Sequence, residues 1–544
     1  MTLPGTVQSR LSNLETRFSE CRDKVARLRS ADRDEEHDRL GHDEFIPIFK
    51  DACALVREAE LAGAPYLLKL AKSTGAIISN QLRYALDAED NEDLGVGLMP
   101  SWAHDDVGDR PIITDRSGRR LPFPPSALEK FIEVFRPMFA EGVTGAGYKN
   151  RSPYLEYIVL TKPLDPMVDF PDEYTIEPGL AGVAYHAAID DARRLVFVGD
   201  NDRVKSYEWG NTEEIHDEPL PVHTLDSRNT KGPMVMLLNG SLARAGKGGA
   251  SVFDIQVLPT HGPEGDAIIG KIIQNFDTWR DEEDEIDFEP NLWEPLVSAP
   301  STVLCSEKAR RSGDYDCVEI DLETGKTVSY HLGHGDEITA LSVASSDPQL
   351  FLTACGDGFA RLFDLRRSLP VVTLDACALK ESCEAATLVM PGGIPTVFTG
   401  TSKSEQIKLW DIRARACVYE LSTGNTMVES LSWDAHNNCL YAATQCSYMD
   451  RLGNHHDYRY AKIPKSQRSI QDVNEEDEED DDDEEVTDGE RCWPKDAWHT
   501  EDYFGHLFDA GDHSIIRYKF KEDPISSVVP LYGNATVGGG HWPW

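Results

Sequence analysis

The sequence predicts a mainly β protein, a series of repeated four-stranded units behind an α-helical N-terminal region. Three observations predict it. A buried-type residue followed by an acid ends a strand-like run again and again, at intervals of 46, 67, 43 and 47 residues. The spacing of apolar positions changes from helical to alternating near Tyr154. From there on, clusters of Gly, Asn, Asp and Pro separate short β-forming runs, as turns separate strands.

Residues 1–150 read as helix and loop. Val7, Leu11, Leu14, Phe18, Cys21, Val25 and Leu28 follow one another in alternating steps of four and three, which places all seven on one stripe of a helix. Asp32, next in the series, ends the stripe. Such a stripe packs either on the chain's own helices or on a second copy, so residues 7–28 are also a candidate short coiled coil and homodimer contact. Further helices are expected around 44–62 and 65–87. A capping box, Ser126-Ala-Leu-Glu129, predicts another that stops near Pro137. Residues 91–125, rich in Pro, Gly and Asp, read as loop.

The recurring strand ends are Tyr207-Glu208, Phe253-Asp254, Ile320-Asp321, Phe363-Asp364 and Trp410-Asp411. The one long interval contains an acidic insertion, DEEDEIDFEP, over 281–290. A unit of this length built from four short strands is the signature of a β-propeller blade. Blades are expected near 180–225, 231–275, 293–333, 335–373, 383–421 and 427–463, with a seventh from LFDAGDHSIIRYKF (507–520). The strand YLEYIVLTK (154–162) is placed to supply that blade's outer strand and close the ring, leaving 521–544 as a C-terminal tail. Six blades with one large insertion is the alternative count.

The fourth unit is the most complete. Gly333-His334 opens it, ITALSVA and LFLTA supply two strands, Gly356-Asp357-Gly358 a tight turn, and ARLFDL a third strand. The fifth carries Thr399 and IKLWDIR, with Trp410, Asp411 and Arg413, but Lys403 or Ser404 where an acid is expected. These residues resemble WD-repeat (WD40) propellers over about 367 residues, 154–520. The resemblance implies that His334, Thr353, Asp357 and Phe363 form a structural hydrogen-bond network from which Phe363, lacking an indole N–H, drops out.

Arg366 and Arg413 each stand two residues beyond the strand-end Asp. Two guanidinium groups at that position in consecutive blades can grip carboxylates or carbonyls of a partner. The pattern resembles the double WDxR box of the DCAF-type substrate receptors of cullin-RING ubiquitin ligases, with Phe363 in place of the first Trp. The resemblance implies that Arg366 and Arg413 dock on the ligase's adaptor. The same arginines could instead simply pair with a neighbouring acid.

The 544-residue chain carries a formal charge of −41, with 40% hydrophobic residues. An acidic body repels phosphate backbones, so direct nucleic-acid binding is not expected and basic partners are favoured. Glu475–Glu485 is an unbroken run of carboxylates within an insertion, 464–495, expected to be disordered. It is a candidate contact for histones or other basic proteins, and Thr487 beside it is a candidate acidophilic-kinase site. The opening MTLPGTVQSR lacks the order of a secretory signal, and no apolar run approaches the ~18 residues of a membrane span, so a cytoplasmic or nuclear protein with no membrane partner is expected. RSGRR (116–120) is too short to choose between the two. Eleven scattered cysteines with no Cys-x-x-Cys suit reduced thiols.

No nucleophile elbow, zincin helix or dinucleotide fingerprint occurs. Gly325-Lys326-Thr327 lacks the earlier glycine of a phosphate loop, since Ile320 stands there, and reads as a turn. Cys446, His455, His456, Cys492 and His499 include zinc-ligand types, but their spacing fits no finger. The expectation is therefore a non-catalytic interaction scaffold without cofactor. A chromatin or chaperone scaffold and a zinc-dependent enzyme are the alternatives to a ligase receptor.

Overall fold

The computed structural model describes residues 2–29, 44–86, 180, 186–190, 192–208, 221–246, 249–261, 290–307, 315, 317–344, 346–377, 381–402, 406–413, 415–423, 426–435, 438–445 and 514–520. It also describes the backbone of short strands at 130–134, 155–160, 173–176, 269–270, 274–276, 458–460, 492–494, 497–498 and 536–537. The chain divides into two compact units. One comprises Met1–Ala88, Gly118–Phe351 and Phe363–Pro370, the other Glu89–Ser117, Leu352–Leu362 and Val371–Trp544.

Helices α1 (Gly5–Arg29), α2 (Ile46–Leu61) and α3 (Leu67–Leu86) form where the apolar spacing places them. On α1 the stripe residues Leu11, Leu14, Cys21 and Val25 are buried, and Phe18 meets Phe45 edge-on with ring centres 6.4 Å apart. Three ion pairs run beside the stripe: Arg10–Glu58, Arg17–Asp51 and Lys24–Glu44, at 2.6, 2.7 and 2.7 Å. Their partners step by seven along α1 and by seven in reverse along the facing segment, so the two run antiparallel in register. Each pair is exposed and screened by solvent, so it adds little. The buried stripe does most of the stabilising, and it is already covered by the chain's own helices.

The helix expected from Ser126 gives way to extended chain at the described residues. Lys130–Val134 is a strand, paired antiparallel with Leu155–Leu160 so that Phe131 faces Val159 and Ile132 faces Ile158. Its Phe, Ile and Val favour the pleated state, and a ready partner strand outweighs a capping box.

Seven sheets of three to five strands appear among the described residues. Sheet one holds Lys130–Val134, Leu155–Leu160 and Glu173–Ile176. Sheet two holds His186–Asp190, Leu195–Gly199, Arg203–Glu208 and His223–Asp226, with Ile269–Gly270 added parallel at its edge. Sheet three holds Met234–Met236, Ser241–Gly246, Gly249–Asp254 and Gln274–Phe276. Sheets four, five and six run Pro290–Pro295 to Lys326–His331, Ile338–Val343 to Val372–Asp375, and Cys383–Val389 to Ala416–Ser422. Their four strands follow one another in chain order, and the division between the two units passes through sheet five.

Sheet seven corrects the expected blade boundaries. Met427–Asp434 and Cys439–Gln445 take as their third strand Ser514–Lys519, which pairs Leu440 with Tyr518. The acidic run is thus inserted in the chain between the second and third strands of this one sheet. Likewise the strand at 155–160 is the middle of sheet one and does not extend the strand at 514–519. Cys492–Pro494 pairs with Tyr458–Tyr460, and Ala497–Trp498 with Thr536–Val537, so short strands lie within 464–495 and within 521–544.

Sheets two to five share apolar cores in series, and sheet six shares one with sheet seven. Phe197 and Val204 of sheet two meet Leu242 and Phe253 of sheet three. Ala243 and Ala245 of sheet three meet Trp293 and Val303 of sheet four, and Leu304 of sheet four meets Phe351 and Phe363 of sheet five. In the other unit Phe398 and Ile407 of sheet six meet Val428 and Leu440 of sheet seven. Of the recurring strand ends, Phe253, Ile320 and Phe363 lie in these seams, and Tyr207 and Trp410 are buried as well. Arg244 staples sheets two and three from inside, donating to the Asp200 carbonyl at 2.6 Å and to Ser227 Oγ at 2.5 Å. Among the described residues no helix is long and apolar enough to cross a membrane.

Candidate protein-interaction site

The Asp after four of the five buried strand ends has a local task. Asp254, Asp321, Asp364 and Asp411 each accept, through Oδ1, the backbone N–H two residues on: Gln256, Glu323, Arg366 and Arg413, at 3.0, 3.0, 3.0 and 2.8 Å. This Asx turn ends the third strand and reverses the chain toward the fourth. The apolar member is buried, whereas the acid closes the corner, a division of labour the sequence repeat did not reveal.

The arginine two residues on is therefore carried at a fixed corner. Arg366 folds back on its own turn, donating from Nε to Asp364 Oδ1 at 2.8 Å and from Nη2 to Oδ2. Its side chain is 74% exposed while that of Asp364 is 14% exposed, so the acid anchors and the guanidinium is displayed. Burial opposes charge on Asp364, but the hydrogen bonds from Arg366 outweigh it and hold the carboxyl below its usual range. Arg413 is attached more loosely, with Nε 3.9 Å from Asp411 Oδ1, and its side chain is 39% exposed. Both arginines thus pair with the neighbouring acid and still present donors outward.

The last turn of α2 reaches the Arg366 corner. Glu60 Oε1 accepts the N–H of Ser368 at 2.7 Å, and Arg57 Nη1 lies 3.4 Å from Glu60 Oε2. Burial raises the Glu60 carboxyl above its ordinary value, partly offset by Ser368 and Arg57. The corner is also held from beneath, because His331 Nδ1 meets the Arg367 carbonyl at 3.0 Å and the Leu332 N–H donates to that of Ser368 at 2.7 Å. Arg57, Glu60, Leu61, Asp364, Arg366 and Arg367 line a shallow cleft.

His334, Thr353, Asp357, Phe363, Thr399, Trp410 and Asp411 are all buried. His334 stacks on Phe363 at 5.5 Å, and Phe363 in turn stacks on Phe351 at 5.0 Å. Aromatic packing stands where an indole N–H is missing. Asp357, in a turn whose Gly358 has φ +85°, accepts the Phe359 N–H and is gripped by Arg361 at 3.0 and 2.6 Å. Thr353 Oγ1 reaches the Arg361 carbonyl at 3.5 Å. In sheet six Trp410 supplies the indole N–H that Phe363 lacks, its Nε1 donating to Thr399 Oγ1 at 2.8 Å.

Sequence reasoning missed Arg361 and Lys408. Each stands two residues before the aromatic, on the same strand face, and both are buried. The aligned basic residue in ARLFD and IKLWD was the available signal. Cys446, His455, His456, Thr487, His499 and the acidic run 475–485 lie outside the described residues, as do Lys403 and Ser404; of Cys492 only the backbone is described. Among the described residues no group of three or more His, Cys, Asp and Glu is placed to hold a metal ion. No protein-family model matches the chain, and no curated protein matches it.

Proposed function

We propose that the chain is a non-catalytic protein-interaction platform, a seven-bladed WD-type propeller that serves as a substrate receptor of a cullin-RING ubiquitin ligase. Seven sheets of similar size, with sheets two to five packed in series and sheet six on sheet seven, support the propeller. Rigid blades with displayed corners suit binding rather than covalent chemistry. The observation that carries the receptor reading is the Arg366 side chain, fixed at its base by Asp364 and mostly in solvent, with Arg413 on the equivalent corner of the next sheet in the chain.

Purified full-length protein carrying Arg366→Ala and Arg413→Ala tests this against the purified propeller adaptor of the ligase. The receptor reading expects capture by the unmodified chain and loss of at least about tenfold in affinity for the variant, as for removal of charge-assisted contacts. Equal affinity rejects it. A second reading is favoured by the −41 charge: a scaffold for histones or other basic proteins. It expects deletion of 472–490 to abolish histone binding at moderate salt, and histone binding that survives the deletion rejects it.

A further inference from the structure

The α2 end and the sheet-five corner lie side by side because Glu60 ties them together, and they display complementary chemistry. Leu61, immediately after Glu60, is 74% exposed although it ends a helix whose other face is buried. An apolar side chain so displayed is unremarkable alone, but here three guanidinium groups, Arg57, Arg366 and Arg367, share its cleft. The cleft's two carboxylates are both engaged from within, Asp364 by Arg366 and Glu60 by Ser368 and Arg57. The lining therefore carries three positive charges against two negative ones, on a chain whose net charge is −41.

We propose that this cleft is a composite docking surface for an acidic segment of a partner protein that also carries leucine-like side chains. Leu61 is the apolar anchor, Arg366 and Arg367 are the carboxylate-binding rim, and Glu60 is a positioning residue that holds α2 in register with the corner. A partner segment of alternating Asp or Glu and Leu meets both halves at once, whereas a basic or purely apolar segment meets only one. The proposal rests on reading Arg366 as a partner contact.

The test is fluorescence anisotropy of a labelled (Glu-Leu) repeat peptide with the full-length protein, beside a (Lys-Leu) repeat and an all-Glu peptide. The surface expects the (Glu-Leu) peptide to bind tightest, more weakly as salt rises. Leu61→Asp and Arg366→Ala should each weaken it by about tenfold. Glu60→Ala should weaken it while Glu60→Gln, which keeps a carbonyl for the Ser368 N–H, retains it. Sensitivity to Arg366→Ala with indifference to Leu61→Asp overturns the composite surface and leaves the arginine as a contact. Absence of binding, or a preference for the (Lys-Leu) peptide, overturns the inference too. The adaptor measurement on the Arg366→Ala plus Arg413→Ala protein reads the ligase proposal separately. Circular dichroism melts of each variant separate lost binding from lost folding.

Discussion

Arg361 and Asp357 face each other through two hydrogen bonds of 3.0 and 2.6 Å, with side chains 2% and 0% exposed. A buried pair of this kind gives little net stability, because desolvating both ions cancels much of their attraction, but removing one partner strands the other. Asp357→Ala is expected to cost about 3–5 kcal/mol in urea unfolding, and Arg361→Met plus Asp357→Leu to cost less than either single change. A single substitution without effect on the midpoint shows that the pair is not formed.

Trp410 and Thr399 offer the neutral counterpart. Trp410→Phe keeps most of the buried apolar surface and removes the N–H donated to Thr399 Oγ1. The expected cost is about 1–2 kcal/mol, with Thr399→Val similar and the double variant well short of the sum. Additive losses would show that the two side chains do not communicate.

Strand positions in sheets two to six were legible because turn residues bracket each run and the apolar–acid ending repeats. The same local signal could not assign Ser514–Lys519, because its partner Cys439–Gln445 precedes it by about seventy residues of intervening chain, and pairing at that distance leaves no periodic trace. The capping box at Ser126 misled for a related reason: it reports the local preference of one turn, whereas Phe131 and Ile132 are decided by Val159 and Ile158 opposite. At the candidate site the arginines were legible as a motif. The contact from Glu60 to Ser368, 308 residues apart, was not, since nothing in either segment marks the other.

Sheet six lies so close to sheet seven that Gly400 cannot carry a side chain. A Cβ there meets Val428 Cγ1 at 2.4 Å and Cβ at 2.6 Å. A valine has no flexible end to swing aside, so Gly400→Ala should destabilise by about 1–3 kcal/mol through overpacking. Adding Val428→Ala opens the needed space, so the double variant should lose less than the two single losses combined. Chemical denaturation of the four proteins measures this, and full additivity contradicts the close approach.

His331 couples the Arg366 corner to pH. It is fully buried, with Nδ1 meeting the Arg367 carbonyl, and burial holds its pKa down at about 4 from an ordinary 6.5. The unfolded chain therefore takes up a proton near 6.5 that the folded chain refuses, so stability from this group is complete above that value. It declines as pH falls toward 4, by roughly 1–3 kcal/mol. His186 and His223, also lowered by burial, act in the same sense, while Glu294, raised to about 7 by burial, acts oppositely over part of the same range. The whole-protein profile mixes these, so the informative quantity is a difference. Between pH 7.5 and 5, the unmodified protein should lose more stability than His331→Asn, whose amide can still donate to the carbonyl but does not titrate. Parallel losses in the two proteins would mean that His331 already binds its proton in the folded state.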